Sequence, residues 1–395
     1  METNDQGRRN FLRTSVLGGA GALLASPVLA RTNRETNTES EEKPIIKRTL
    51  GKTGIKLPIV SFGVMRADSP ALVQAALKEG IVLFDTAHGY QGGKNEEMLG
   101  EVFKDVPRSS FVLATKVKPD GDDEAAAKTF LEKFDLSLKR LKLHEVDILY
   151  VHSTASRDDV LSPAILEAVQ TAKKSGKAKH IGVSTHKNEP DVIQAVIDSG
   201  VYEVVLTSIN FKQAHYPELK KAIAAAAKAG VGIIAMKTMA GGFHDKARTQ
   251  PVNCKAALKF VLQDENITTS IPGITNFDQL AMNISVNRDR ALTKEEEADL
   301  TVDKSQGGLY CQGCEQCVPN CPKGLPIPDI MRAYMYAYGY RDSRQAKEVL
   351  TSLNLPAKPC ADCAVCSVTC ARNFSVAERI GDVARLIDVP DEFLA

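Results

Sequence analysis

The chain has 395 residues, 43% hydrophobic and 25% charged, with 50 Lys and Arg against 49 Asp and Glu and no Trp. Those proportions exclude a mainly disordered or membrane-embedded chain. Near-neutral charge and 6% aromatics leave no electrostatic footprint or stacking surface for nucleic acid.

Residues 1–30 read as an address. Gly7-Arg8-Arg9-Asn10-Phe11-Leu12-Arg13 precedes 14 apolar-rich residues, Val16 to Leu29, and Val28-Leu29-Ala30 offers a small-residue cleavage site. A span needs ~20 residues, so no transmembrane segment is expected once this stretch is removed. Paired Arg before Phe-Leu resembles the twin-arginine export signal, which implies a periplasmic or other extracytoplasmic destination. An uncleaved anchor and a general secretion signal with chance basic residues are the alternatives. Removing residues 1–30 leaves 47 charges of each sign, so a redox partner would need a specific docking surface rather than bulk charge. Residues 31–45 are polar and aperiodic and read as a flexible linker.

A regular alternation follows. Strand-like runs are Ile59–Met65, Ile81–Ala87, Phe111–Val117, Val146–His152, His180–Thr185, Val201–Asn210, Val231–Met239 and Ile267–Ile274. Helical patterns lie at 69–79, 95–104, 123–142, 162–176, 189–199, 216–229, 254–265 and 276–287. Gly80, Gly200 and Gly230 fall just past helices, as C-terminal caps do. Eight βα units over residues 46–290 predict an α/β fold, a (β/α)8 TIM barrel. A doubly wound sheet is the runner-up, but no Gly-x-Gly-x-x-Gly follows the first strand. In a barrel the chemistry sits at the C-terminal ends of the strands. There the sequence places Asp85, Lys116 and His152, with Tyr90 in the loop after Asp85.

Asp85-Thr86-Ala87-His88-Gly89-Tyr90, with Glu96 and Leu99-Gly100, is similar to the signature of the aldo-keto reductase family. The resemblance implies that Tyr90 is the general acid, that Lys116 lowers its pKa, that Asp85 pairs with Lys116 and that His152 orients the carbonyl. It implies a nicotinamide dinucleotide, NAD or NADP, at the loops after the later strands. Ser184 fits the carboxamide position and Asn283 the adenine position, while Met236 and Lys237 flank the nicotinamide or phosphates. Thr185 stands where Asn is usual and Ser208 where Gln is. Gly273 and Gln279 stand where many members carry cationic ligands for a 2′-phosphate, which leaves open NAD, NADP or no exchangeable nicotinamide. His88, His186 and His244 fall in mouth-facing loops.

The last stretch carries the cysteines. Eight of the nine lie in two runs, Cys311-x2-Cys314-x2-Cys317-x3-Cys321 and Cys360-x2-Cys363-x2-Cys366-x3-Cys370; Cys254 stands apart and reads as a buried structural thiol. This spacing is of ferredoxin type, in which the fourth Cys of a run ligates the other cluster. The expected sets are Cys311, Cys314, Cys317 and Cys370 on one 4Fe-4S cluster, and Cys360, Cys363, Cys366 and Cys321 on the second. Structural zinc pairs Cys-x2-Cys knuckles and explains the doubled triple run poorly. Cysteines three positions apart also make poor disulfides. Residues 291–395 are therefore expected to form a small α-helical ferredoxin-like iron–sulfur domain. A helix starts near Pro328 with Asp329 as N-cap, and its tyrosines serve for packing.

Together these resemblances imply an exported oxidoreductase acting on a small carbonyl or alcohol, with two 4Fe-4S clusters, a redox partner protein, and any dinucleotide bound before export and retained. The alternative is an electron-transfer or scaffold protein on a barrel that no longer binds nicotinamide. A third reading makes the clusters structural staples.

Overall fold

The structure, a computed structural model, describes residues 43–394; the expected export signal and most of the expected linker lie outside the described residues. It opens on a hairpin that periodicity did not reveal. β1 (Lys47–Thr49) pairs antiparallel with β2 (Lys56–Pro58). Arg48 donates to the carbonyls of Leu262 and Asp264 at 2.9 and 3.1 Å, and the Lys52 N–H donates to Gly230 at 2.8 Å. Both anchors precede strand starts, so the hairpin closes the barrel floor with Leu50 and Leu57 fully buried.

Eight parallel strands follow in chain order: β3 (Phe62–Gly63), β4 (Leu83–Asp85), β5 (Val112–Val117), β6 (Val146–Thr154), β7 (Ala178–Thr185), β8 (Val204–Ser208), β9 (Gly232–Met236) and β10 (Ile267–Ser270). Parallel bridges from Val60 to Ser270 and from Gly63 to Gly273 bring the last strand back to the first. Six of the eight are shorter than expected, the first and the last among them. Val64–Arg66 turns into a 3-10 helix and cuts the first to two residues. Pro272, which has no N–H for a ladder, follows the end of the eighth.

The crossovers are α1 (Pro70–Lys78), α2 (Lys94–Phe103), α3 (Glu124–Leu141), α4 (Arg157–Leu161), α5 (Pro163–Lys174), α6 (Glu189–Ser199), α7 (Tyr216–Lys228), α8 (Cys254–Leu262) and α9 (Phe277–Arg288). α3 shows why they form. Asp123 caps its start by accepting from Ala126 N–H at 2.8 Å. Phe130, Phe134, Leu138 and Leu141 then recur at helical spacing and are buried against the sheet. Inside the barrel Leu83, Ala114, Ile148, Tyr150, Val204, Leu206 and Ile234 fill the bore. Gly182 admits Tyr150: a Cβ there would stand 3.0 Å from the Tyr150 ring.

Beyond the barrel come α10 (Lys294–Ser305), α11 (Ile327–Tyr334), a π-helical turn Met335–Tyr340, α12 (Ser343–Ser352) and α13 (Val376–Ala384). Asp329 is not the N-cap. Prolines are tolerated in a first turn, so α11 starts earlier, behind Pro326, and Asp329 pairs with Arg332 at 2.8 Å. From Lys43 onward barrel and C-terminal helices form one compact unit. His244 joins them, Nε2 meeting Asp303 at 2.7 Å and Nδ1 meeting the Lys212 ammonium at 3.0 Å. Among the described residues no helix is long and apolar enough to cross a membrane.

Candidate active site

Parallel strands set their C-terminal ends at one mouth, and there Asp85, Tyr90, Lys116 and His152 line a single cavity of about 600 Å³. The buried Lys116 ammonium donates to the Asp85 carboxylate in a short contact, to the Thr86 carbonyl at 2.6 Å and to the Tyr90 hydroxyl at 3.4 Å. Its three protons are thereby spoken for. The Tyr90 oxygen accepts, so its own proton is left to point at the cavity. His152 stands edge-on to the Tyr90 ring, with centroids 6.0 Å apart.

The loop carrying Tyr90 is held by buried polar residues. Asn95 accepts from Thr86 Oγ1 at 2.6 Å and donates to the Val64 and Ala67 carbonyls at 2.8 and 3.1 Å. Glu96 accepts from Thr115 at 2.7 Å and pairs with Arg140, which also donates to the His88 carbonyl at 2.9 Å. Gln91, Ser153 and Lys237 take left-handed backbones, φ 53°, 62° and 57°. Such strain in non-glycine residues gathers at functional sites.

The electrostatics correct one expectation. Burial pushes the Tyr90 phenol well above its ordinary value, with Asp85 and Tyr336 adding to it, so Lys116 does not bring it down. The physical reason is burial first, and then the negative charge of the Asp85 carboxylate nearby. Burial raises Asp85 and lowers Lys116, each opposed by the other. Burial, then Lys116, Lys118, Arg332 and Lys237, hold His152 well below its ordinary value, so its imidazole is neutral at pH 7.

Of the residues expected at the dinucleotide, Ser184, Met236, Lys237, Gly273, Gln279 and Asn283 line the cavity. Ser184 Oγ accepts from Ser153 N–H at 2.9 Å. Asn283 is fully buried, yet neither its amide nitrogen nor its oxygen has a partner. Both are open to a ligand, and in this the residues fit the expected cofactor. Thr185 and Ser208 instead turn inward. Thr185 donates to the Lys187 carbonyl at 2.8 Å and Ser208 to Glu189 at 2.5 Å. Of the histidines, His88 and His186 line the cavity while His244 serves the domain junction. Cys254 is half-buried at the cavity wall rather than sealed in the core.

Sequence reasoning missed the other wall. The C-terminal segment contributes Arg332, Tyr336 and Tyr340 to the same cavity. The Lys237 ammonium donates to the Tyr336 hydroxyl at 3.0 Å. The π-turn alters helical spacing, so helical periodicity gave no sign that Tyr336 faces the barrel; π-turns do recur at functional sites.

The eight clustered cysteines are free thiols among the described residues. Burial pushes Cys311 up to about 12, and the sulfurs acting on it are those of Cys370, Cys317 and Cys314. Those acting on Cys360, after burial, are Cys363, Cys366 and Cys321. Among the described residues no three His, Cys, Asp or Glu side chains gather as a single metal ion needs. Cysteine thiolates are the donors that 4Fe-4S clusters take, so the chemistry of this donor set fits such a group.

Residues 60–256 match the Aldo/keto reductase family and residues 310–375 the 4Fe-4S dicluster domain. L-galactose dehydrogenase of Arabidopsis thaliana is 29% identical over 60% of this chain and 86% of its own. The 6-dehydroglucose reductase of Novosphingobium aromaticivorans is 34% identical over 35% of this chain and 50% of its own. An aldo-keto reductase from Bacillus halodurans has the same fold, with a TM-score of 0.55 at 21% identity over 66% of this chain and 96% of that one. One from Klebsiella pneumoniae in complex with NADPH gives 0.53 at 21% identity over 66% and 96%. The chain is thus an oxidoreductase in which an Aldo/keto reductase family domain is joined to a C-terminal 4Fe-4S dicluster domain.

Proposed function

We propose that this protein is an exported oxidoreductase that interconverts a small carbonyl compound and its alcohol, with Tyr90 as acid–base and two 4Fe-4S clusters on the crossed cysteine sets. The contact that carries the reading is Lys116 on Tyr90 at 3.4 Å, with Asp85 behind it. A bound nicotinamide dinucleotide supplies the hydride. Ser184, Met236, Gly273 and Asn283 would hold it, under a roof of C-terminal helices that favours retention through export. Tyr90, kept protonated by burial, donates to the oxygen that becomes the alcohol. Neutral His152 offers a ring N–H to the same oxygen. Lys116 fixes where the Tyr90 proton points, and Asp85 fixes Lys116.

The test is anaerobic preparation with iron and sulfide quantitation, EPR, nucleotide extraction and NADPH- or NADH-dependent aldehyde reduction. Reduction that disappears in Tyr90→Phe supports the reading, and reduction unchanged in that variant overturns it. Cell fractionation with Arg8→Lys/Arg9→Lys tests export. The inward turn of Thr185 and Ser208 favours a second reading, an electron-transfer or scaffold protein without nicotinamide. Clusters without any bound or binding dinucleotide would select it.

A further inference from the structure

A second group of hydrogen-bond donors faces the cavity and is not needed for the carbonyl oxygen. Lys237 donates to Tyr336 at 3.0 Å, which leaves the Tyr336 O–H and two ammonium protons for a ligand. Arg332 lines the same cavity from α11. A recess of about 30 Å³ shares His186, Lys237 and Arg332 with the main cavity. The His186 Nδ1 there is buried without a partner. Arg332 is matched by Asp329 at 2.8 Å. Among the described residues no carboxylate lies within 4.0 Å of the Lys237 ammonium; its polar partner is the Tyr336 hydroxyl.

We propose that Tyr336, Lys237 and Arg332 bind a carboxylate on the substrate, so that the enzyme acts on carbonyl compounds carrying an acid group. The inference rests on the carbonyl-reduction reading above. Three donors, one of them the Lys237 ammonium without a carboxylate partner, call for an acceptor, and a charged acceptor makes the stronger bond. Low dielectric in the cavity strengthens the attraction further. The cluster also stands at the reacting end, since Lys237 and Arg332 both act on His152. Tyr336 and Arg332 come from the C-terminal segment and Lys237 from the barrel, so the site exists only when the two are docked.

The test uses the cluster-loaded protein with NADPH or NADH and two matched aldehyde pairs: 4-oxobutanoate against butanal, and 4-formylbenzoate against its methyl ester. The acid member should be preferred at least about 10-fold in kcat/KM, mainly through KM. Tyr336→Phe and Lys237→Met should erase the preference with iron content and cluster EPR unchanged, and Lys237→Arg should restore part of it. Succinate binding by calorimetry should weaken about 10-fold in Lys237→Met. Equal use of the neutral members overturns the proposal. So does a Lys237→Met protein that loses affinity for NADPH but keeps the acid preference, since Lys237 would then serve the dinucleotide. If no aldehyde is reduced, the carbonyl-reduction reading fails, and the succinate titration decides the acid site alone: Lys237-dependent binding sustains it and no binding removes it.

Discussion

Lys116 and Tyr90 face each other across 3.4 Å, the ammonium donating and the phenol oxygen accepting. That direction matters more than proximity. A phenol that accepts from a lysine has its own proton free, while burial keeps that proton in place.

Tyr90→Phe should therefore remove the proton donor and keep the packing of the ring. Aldehyde reduction should fall by about 10²–10⁴-fold, measured as nucleotide oxidation at saturating aldehyde, with thermal stability near wild type. A fall of only a few-fold would mean another group supplies the proton.

Asp85 and Lys116 form an ion pair with both side chains under 5% exposed. Asp85→Asn leaves the ammonium buried without its counter-charge and should destabilise by about 3–5 kcal/mol. Asp85→Leu with Lys116→Met removes both charges and should recover much of that loss in chemical denaturation, though not activity. A single variant as stable as wild type would show that the pair is not held as an ion pair.

Burial lowers His152 and His186 well below the ordinary imidazole value. A group depressed in the folded state stabilises above its unfolded pKa, about 6.5, and loses that contribution as pH falls through it. Stability should drop toward pH 5, each histidine contributing at most about 1.4 kcal/mol per pH unit. His152→Gln should flatten that slope. An unaltered slope in anaerobic denaturation at pH 5 to 7 would place His152 in water.

The proposed crossing of the cysteine sets makes separate predictions for two distant residues. Cys370→Ser should disturb the cluster of Cys311, Cys314 and Cys317, and Cys321→Ser that of Cys360, Cys363 and Cys366. EPR redox titration should show one signal altered in each variant, with about 8 irons expected in wild type and down to about 4 where a cluster is lost. Disturbance of the variant's own run instead would replace crossed by local ligation.

Short-range pattern was enough for much of this protein. The βα alternation, the placement of Asp85, Lys116 and His152 at strand ends and the two cysteine runs are all set by spacing along the chain. Spacing reports which face a residue shares with its near neighbours. It does not report what the far side of a cavity contributes. The hairpin floor was invisible because three-residue strands carry too little alternation. The inward turn of Ser208 depends on Glu189, a residue on another element.

By itself, then, the sequence determined the barrel, the placement of Asp85, Lys116 and His152 at strand ends and the two cysteine runs, because each follows from local periodicity or fixed spacing. Only the tertiary structure decided that Tyr336 closes the cavity against Lys237, 99 positions away. It also decided that Tyr90 stays protonated beside an ammonium. Both depend on burial and on charges brought together through space, and neither leaves a mark on the order of residues.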